Sequence, residues 1–115
     1  MNDAPECLFC RIVAGEVPAT ILRATDRVIS FRDVSPQAPT HVLIIPREHH
    51  PDVGALAEAD PDTLAELVRE ASAIAEDDDL DAFRLVFNTG SRAGQSVFHV
   101  HGHLLGGRAL KWPPG

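Results

Sequence analysis

No stretch of this 115-residue chain approaches the ~20 consecutive apolar residues of a membrane-spanning helix, so a membrane is not an expected partner. Cysteine is scarce: Cys7 and Cys10 alone cannot build the multi-bridge scaffold of a small secreted domain. The opening Met1-Asn2-Asp3-Ala4-Pro5-Glu6 is acidic and polar, unlike a secretory signal, and the expected compartment is the cytoplasm. Basic residues are outnumbered, ten Lys and Arg against seventeen Asp and Glu for a formal net charge of −7. A nucleic-acid binder would want a basic footprint, so none is expected as a partner. Neither an internal repeat nor a linker interrupts the sequence, and residues 1–115 read as one domain. Apolar residues make up 44% and charged residues 23%, as in globular proteins.

Charge is also absent locally. From Ala82 to Gly115 there is no acid, and the bases Arg84, Arg92, Arg108 and Lys111 share the segment with three of the six histidines. A stretch without carboxylates suits an anionic ligand such as a phosphate ester. The ten acids between Glu58 and Asp81, with Arg69 the one base, also fit a plain solvated helix face. Cys7 and Cys10 are spaced C-x-x-C, which in a cytosolic chain suggests metal binding or thiol redox chemistry. A redox motif would follow a strand, and only a short acidic segment precedes this one.

Apolar spacing predicts one or two helical turns from about Leu8 to Ala14, strands over Thr20–Arg23 and Arg27–Asp33, and a third strand His41–Pro46 covered on both faces. Asp60-Pro61 is a helix start, with Asp as N-cap and Pro in the first turn, and Leu64, Leu67, Val68, Ala71 and Ala75 continue a long helix to about Glu76. Carboxylates at Glu76–Asp79 oppose the helix dipole, so that end is expected to fray. Arg84–Asn88 and Val97–Leu105 complete five strands around a loop at Gly90–Gln95. Hairpin-connected strands around one long helix predict an α+β fold with an antiparallel sheet.

His99-Val100-His101-Gly102-His103 is the most informative stretch. On a strand, alternate residues share a face, which would align three imidazoles about 6–7 Å apart. Two chemistries suit such a row: a zinc site, or an imidazole nucleophile whose neighbours handle phosphate oxygens. Gly94-Gln95-Ser96 lies just before it and could offer backbone N–H groups to a phosphate.

The segment Gly94–Arg108 resembles the histidine-triad signature of the HIT superfamily, His-φ-His-φ-His-φ-φ. Asp33–His41 and the terminal Trp112-Pro113-Pro114-Gly115 are similar to its histidine-triad nucleotide-binding (HINT) branch. Two departures are Gly102, where an apolar residue is usual and a looser strand is expected, and Phe98 in place of a frequent Tyr. The resemblance implies a purine nucleoside phosphoramidase, a hydrolase or nucleotidyl transferase working through a nucleotidyl-histidine. A dinucleoside polyphosphate hydrolase and a non-enzymatic binding module are the alternatives. His101 corresponds to the nucleophile, oriented by the carbonyl of His99, with His103 and His41 at the phosphoryl oxygens or leaving group. Asn88, Gly94, Gln95 and Ser96 would contact phosphate and Asp33 the ribose. Leu8, Phe9, Ile12, Phe31 and Val34 would line the base slot, though each also reads as plain core. Cys7, Cys10, His49 and His99 match a structural zinc set of some relatives, with His50 the competitor of His49. No organic cofactor is implied. The resemblance also implies a homodimer whose sheet continues across the two-fold, with Trp112 in a tail reaching toward the partner subunit's site.

Overall fold

The computed structural model describes residues 6–115, so the N-terminal segment read above lies, apart from Glu6, outside the described residues. Cys7 caps the first helix, α1 (Leu8–Val13), its sulfur accepting from the Cys10 N–H at 3.4 Å. Next come β1 (Ile21–Ala24), β2 (Val28–Arg32) and β3 (Thr40–Pro46). Two helices, α2 (Val53–Ala59) and α3 (Pro61–Asp77), lead to β4 (Phe83–Val86), a 3-10 turn at Ser91–Ala93 and β5 (Gly102–Gly106). The strands form one sheet in the order β1-β2-β3-β5-β4, every neighbouring pair antiparallel. This is the α+β architecture expected, and no helix among the described residues is long and apolar enough to cross a membrane.

β3 explains the two-layer core. Its side chains alternate, and all seven residues are buried. Val42 and Ile44 join Leu56, Leu67, Ala71, Ile74 and Leu104 in a cluster under α2 and α3. Leu43 and Ile45 turn the other way and join Phe9, Ile12, Ile29 and Phe31 under α1. α1 is short, so this second face is only partly roofed, and it is here that the histidines gather.

Four sequence expectations need correction. One long and one short helix were expected, whereas Val53–Ala59 forms a further helix: the Asp52 side chain caps it by accepting from Ala55 N–H at 2.9 Å, and Leu56 is fully buried. A seven-residue helix spans too few turns for its apolar period to stand out. The end of α3 is anchored rather than frayed. Asp78 accepts from both terminal nitrogens of the Arg32 guanidinium, at 2.9 and 3.3 Å, and from the Thr40 hydroxyl at 2.8 Å, while Arg23 reaches Asp77 at 3.5 Å. The Arg32 hydrogen bonds hold the Asp78 carboxyl below its ordinary value. Finally, the last strand begins at Gly102, not Val97; Val97–His99 bend, and Val100 N–H is taken by the carbonyl of His50 at 2.7 Å. Gly102 itself is not a loose point. A Cβ there would lie 3.0 Å from Leu85 and 3.2 Å from Phe87, so its bare backbone is what lets these side chains close over the strand.

Candidate active site

The chain bends before β5, so the three alternating histidines have three different surroundings. His99 is fully buried; its Nε2 donates to the Pro46 carbonyl at 2.8 Å, which leaves Nδ1 as a lone pair. That nitrogen faces Cys7 Sγ at 3.5 Å, Cys10 Sγ at 3.5 Å and His49 Nδ1 at 3.2 Å, and Cys10 Sγ is 3.4 Å from His49 Nδ1. The four ligand atoms all lie within 4.8 Å of one another. Bonds of about 2.3 Å to sulfur and 2.05 Å to nitrogen at tetrahedral angles separate S and N by about 3.5 Å and two N atoms by about 3.3 Å. The donor set therefore fits a tetrahedral ion in chemistry and in these four separations, and the Pro46 carbonyl behind His99 orients the ring as such sites require. His50 contributes its backbone carbonyl to Val100 and is not in this cluster.

His101 is buried, and its Nδ1 donates to the carbonyl of His99 at 2.9 Å. Its Nε2 is thereby left with the lone pair. Burial pushes its protonation below the ordinary histidine value, opposing the His99 carbonyl, and so favours the neutral ring. Phe9 sets an edge-to-face ring against it, centroids 5.0 Å apart, and another against His99 at 5.9 Å. His103, the only one of the three within the β5 ladder, lies opposite Leu43 of β3. Its ring centroid is 4.9 Å from that of His101, and burial, then His101 and His41, push it down to about 4. His41 Nε2 meets His103 Nδ1 at 3.0 Å and Asp33 Oδ2 at 3.4 Å, and its Nδ1 accepts from the Gln37 main-chain N–H at 3.0 Å. Asp33 holds the loop after β2 through Ser35 N–H at 2.8 Å.

The remaining sequence candidates divide. Gly94, with φ +97, and exposed Ser96 lie on the loop before the histidines, and a Cβ on Gly94 would come within 3.7 Å of the Asn88 amide nitrogen. Gln95 is instead a brace. Its amide oxygen accepts from Gly90 N–H at 2.9 Å, and its nitrogen donates to the Pro51 and Val97 carbonyls at 2.6 and 3.1 Å. Phe9, Ile12 and Phe31 belong to the core cluster under α1, Phe9 and Phe31 packing edge to face at 5.7 Å. Leu8 is part-exposed and Val34 stands 98% exposed, so a slot made of all five is not closed within one chain. Trp112 is 82% exposed, on a tail whose Leu110 and Lys111 carbonyls accept from Arg84 at 3.4 and 3.1 Å. The Pro46 carbonyl and the Gln37 amide were missed, as main-chain groups carry no residue-type signal.

The HIT domain model matches residues 14–110. The chain belongs to the HIT family. A maize protein named 14 kDa zinc-binding protein is 42% identical over 100% of this chain and 91% of its own length. The Arabidopsis thaliana protein named adenylylsulfatase HINT1 is 39% identical over 99% of this chain and 79% of its own. Among solved structures, a HIT family hydrolase from Legionella pneumophila superposes with a TM-score of 0.92 at 46% identity, covering 96% of this chain and 100% of that one. The fold and family expected from the histidine signature are thus those found, and the HIT hydrolases among its structural relatives point to a hydrolase.

Proposed function

We propose that this HIT protein, acting as one domain over residues 1–115, cleaves the P–N bond of purine nucleoside 5′-phosphoramidates through a nucleotidyl–His101 intermediate. The observation that carries the proposal is the 2.9 Å bond from His101 Nδ1 to the His99 carbonyl, which leaves a lone pair on the Nε2 of a neutral, buried imidazole. In the first step Nε2 of His101 bonds to the α-phosphorus as the P–N bond breaks, and the amine leaves with the bonding pair and takes a proton from water. The new imidazolium keeps its Nδ1 proton on the His99 carbonyl, which stabilises the charge. In the second step water attacks phosphorus and gives its proton to the hydroxide left by the first step, the P–Nε2 bond breaks with its pair returning to Nε2, and the nucleotide leaves with the water oxygen. His103 and His41 would serve the phosphoryl oxygens, Asn88, Gly94 and Ser96 the phosphate side, and Asp33 the ribose. Cys7, Cys10, His49 and His99 would hold a structural zinc, which supplies a crosslink between α1 and the segment carrying the nucleophile.

The protein would act as a cytoplasmic homodimer with its sheet continued across the two-fold. A partner subunit covering the exposed Val34 and Trp112 would support that assembly. A second activity follows from the same attack on an α-phosphorus: loss of sulfate from an adenylyl sulfate, favoured by the name of the Arabidopsis relative. Purified protein given AMP-morpholidate, adenylyl sulfate, a diadenosine polyphosphate or AMP alone separates these readings. Fastest release of AMP from the morpholidate is expected. Faster cleavage of the polyphosphate overturns the phosphoramidase assignment, and nucleotide binding without turnover of any substrate leaves a binding module.

A further inference from the structure

The pair formed by His41 and His103 contains a choice that the ring positions alone leave open: which nitrogen of His103 carries its proton. A main-chain N–H can only donate, so the 3.0 Å bond from Gln37 N–H requires a lone pair on His41 Nδ1. A neutral imidazole has one N–H, and that of His41 is then on Nε2. Nε2 faces His103 Nδ1 at 3.0 Å and shares its direction with Asp33 Oδ2 at 3.4 Å. Two N–H groups cannot face each other at that distance, so His103 accepts through Nδ1 and carries its proton on Nε2. His101 has the opposite tautomer, with Nδ1–H on the His99 carbonyl and the lone pair on Nε2. Two rings 4.9 Å apart therefore differ in function, one holding a nucleophilic pair and the other a hydrogen-bond donor.

We propose that the Gln37 main-chain N–H is a positioning group which, through His41, sets the tautomer of His103 so that it presents Nε2–H to the phosphoryl oxygens of the substrate. The peptide is held on several sides. Arg108 Nε donates to the Gln37 carbonyl at 2.9 Å, and the Gln37 side chain returns to the Ser35 carbonyl at 3.0 Å. Gly107, at φ +90, lies so close to Pro39 that a Cβ would stand 2.9 Å from it, which packs the start of the C-terminal tail against the same loop. The same wiring distinguishes the two groups of closely spaced His, Cys and Asp side chains among the described residues. Asp33, His41 and His103 are as tightly grouped as a metal site. A ligating histidine, however, gives its second N–H to an acceptor, as His99 does with Pro46, whereas the second nitrogen of His41 meets a donor.

The significance of the donor for catalysis rests on the phosphoryl-transfer function above; the tautomers do not. Ring nitrogen correlation spectra of the ¹⁵N-labelled, zinc-loaded full chain read each histidine directly. Nδ1–H is expected for His101, and Nε2–H for His41 and His103. Gln37→Pro deletes the N–H in question, and Gln37→Ala keeps it. The Ala variant should retain the tautomers, and the Pro variant should show mixed tautomers at His41 and His103 with kcat at least about tenfold below that of the Ala variant and KM less affected. Nδ1–H on His103 in the unaltered protein, or unchanged tautomers in a folded Gln37→Pro protein, overturns the proposal. The unaltered protein decides even if the Pro variant does not fold. The stated tautomers in a protein that turns over no substrate would support the role of Gln37 in setting them and overturn the functional reading.

Discussion

At the scale of single residues, burial and one main-chain acceptor do most of the chemistry. An exposed imidazole is half protonated near pH 6.5 and ambiguous in tautomer. His101 is buried, kept neutral by that burial, and held in one tautomer by the His99 carbonyl. With His101 as the proposed nucleophile, His101→Ala should cut turnover by roughly 10³-fold or more while nucleotide affinity stays within about an order of magnitude, since a nucleophile contributes mainly after binding. Single-turnover assays and equilibrium titration check the two halves; hydrolysis near the unaltered rate would remove His101 from its role. His103 gives a pH prediction. Its native value is pushed to about 4 from an ordinary 6.5, so between those pH values the unfolded chain binds the proton and the folded chain does not. Stability should be level above about pH 7 and fall as pH drops from 6.5 toward 4, with a slope of up to about 1.4 kcal/mol per unit from this residue. Denaturation of His103→Asn across that range should show a shallower fall; an identical slope would show that the loss arises elsewhere.

Among the elements, α1 has consequences out of proportion to its length. Six residues make a marginal helix in isolation. This one is fastened by Phe9 and Ile12 in the core, and Cys7 and Cys10 converge on His49 and His99. His99 contributes its ring to that cluster and its carbonyl to His101, so one residue links the metal-type donor set to the proposed nucleophile. Freshly purified protein should contain about one zinc per chain. Cys7→Ser should lose the metal and lower Tm by roughly 10 °C or more, because binding energy at such a site is also folding energy. Metal-free protein melting no lower than loaded protein would contradict this. At α3, Leu67 is fully buried against the sheet, and Leu67→Ala should cost about 2–5 kcal/mol in a denaturant titration without changing the zinc content.

For the whole molecule, the order β1-β2-β3-β5-β4 leaves β1 and β4 as edges. The exposed side chain of Phe83 lies on β4, and Trp112 projects from a tail that Arg84 of the same strand holds. Pairing of two copies would protect such edges. Sedimentation at micromolar concentration should give a dimer, and a monomer there would defeat the assembly. Removal of Trp112–Gly115 should leave the dimer largely intact and alter the preference among amine leaving groups; an unchanged substrate profile would free the tail of any part in the site.

The sequence by itself determined the elements whose signals are local: the capped start of α3 at Asp60-Pro61, the doubly covered β3, and the hairpin turn after β1, where Thr25 accepts from Arg27 and Val28 N–H. It also determined which side chains could carry chemistry, because Cys7, Cys10 and the six histidines are few and patterned. Which of them act together was a tertiary decision. The bend before Gly102 turned an expected row of three imidazoles into one ring in a metal-type donor set, one bonded to the His99 carbonyl and one paired with His41. The short α2 and the anchoring of Asp78 by Arg32 were likewise decided by packing, since each depends on partners far apart in the chain. The groups bonded to the histidine rings, the carbonyls of Pro46 and His99 and the N–H of Gln37, are main-chain groups that carry no side-chain signal. Only the fold gives them direction, and direction is what makes a main-chain dipole specific.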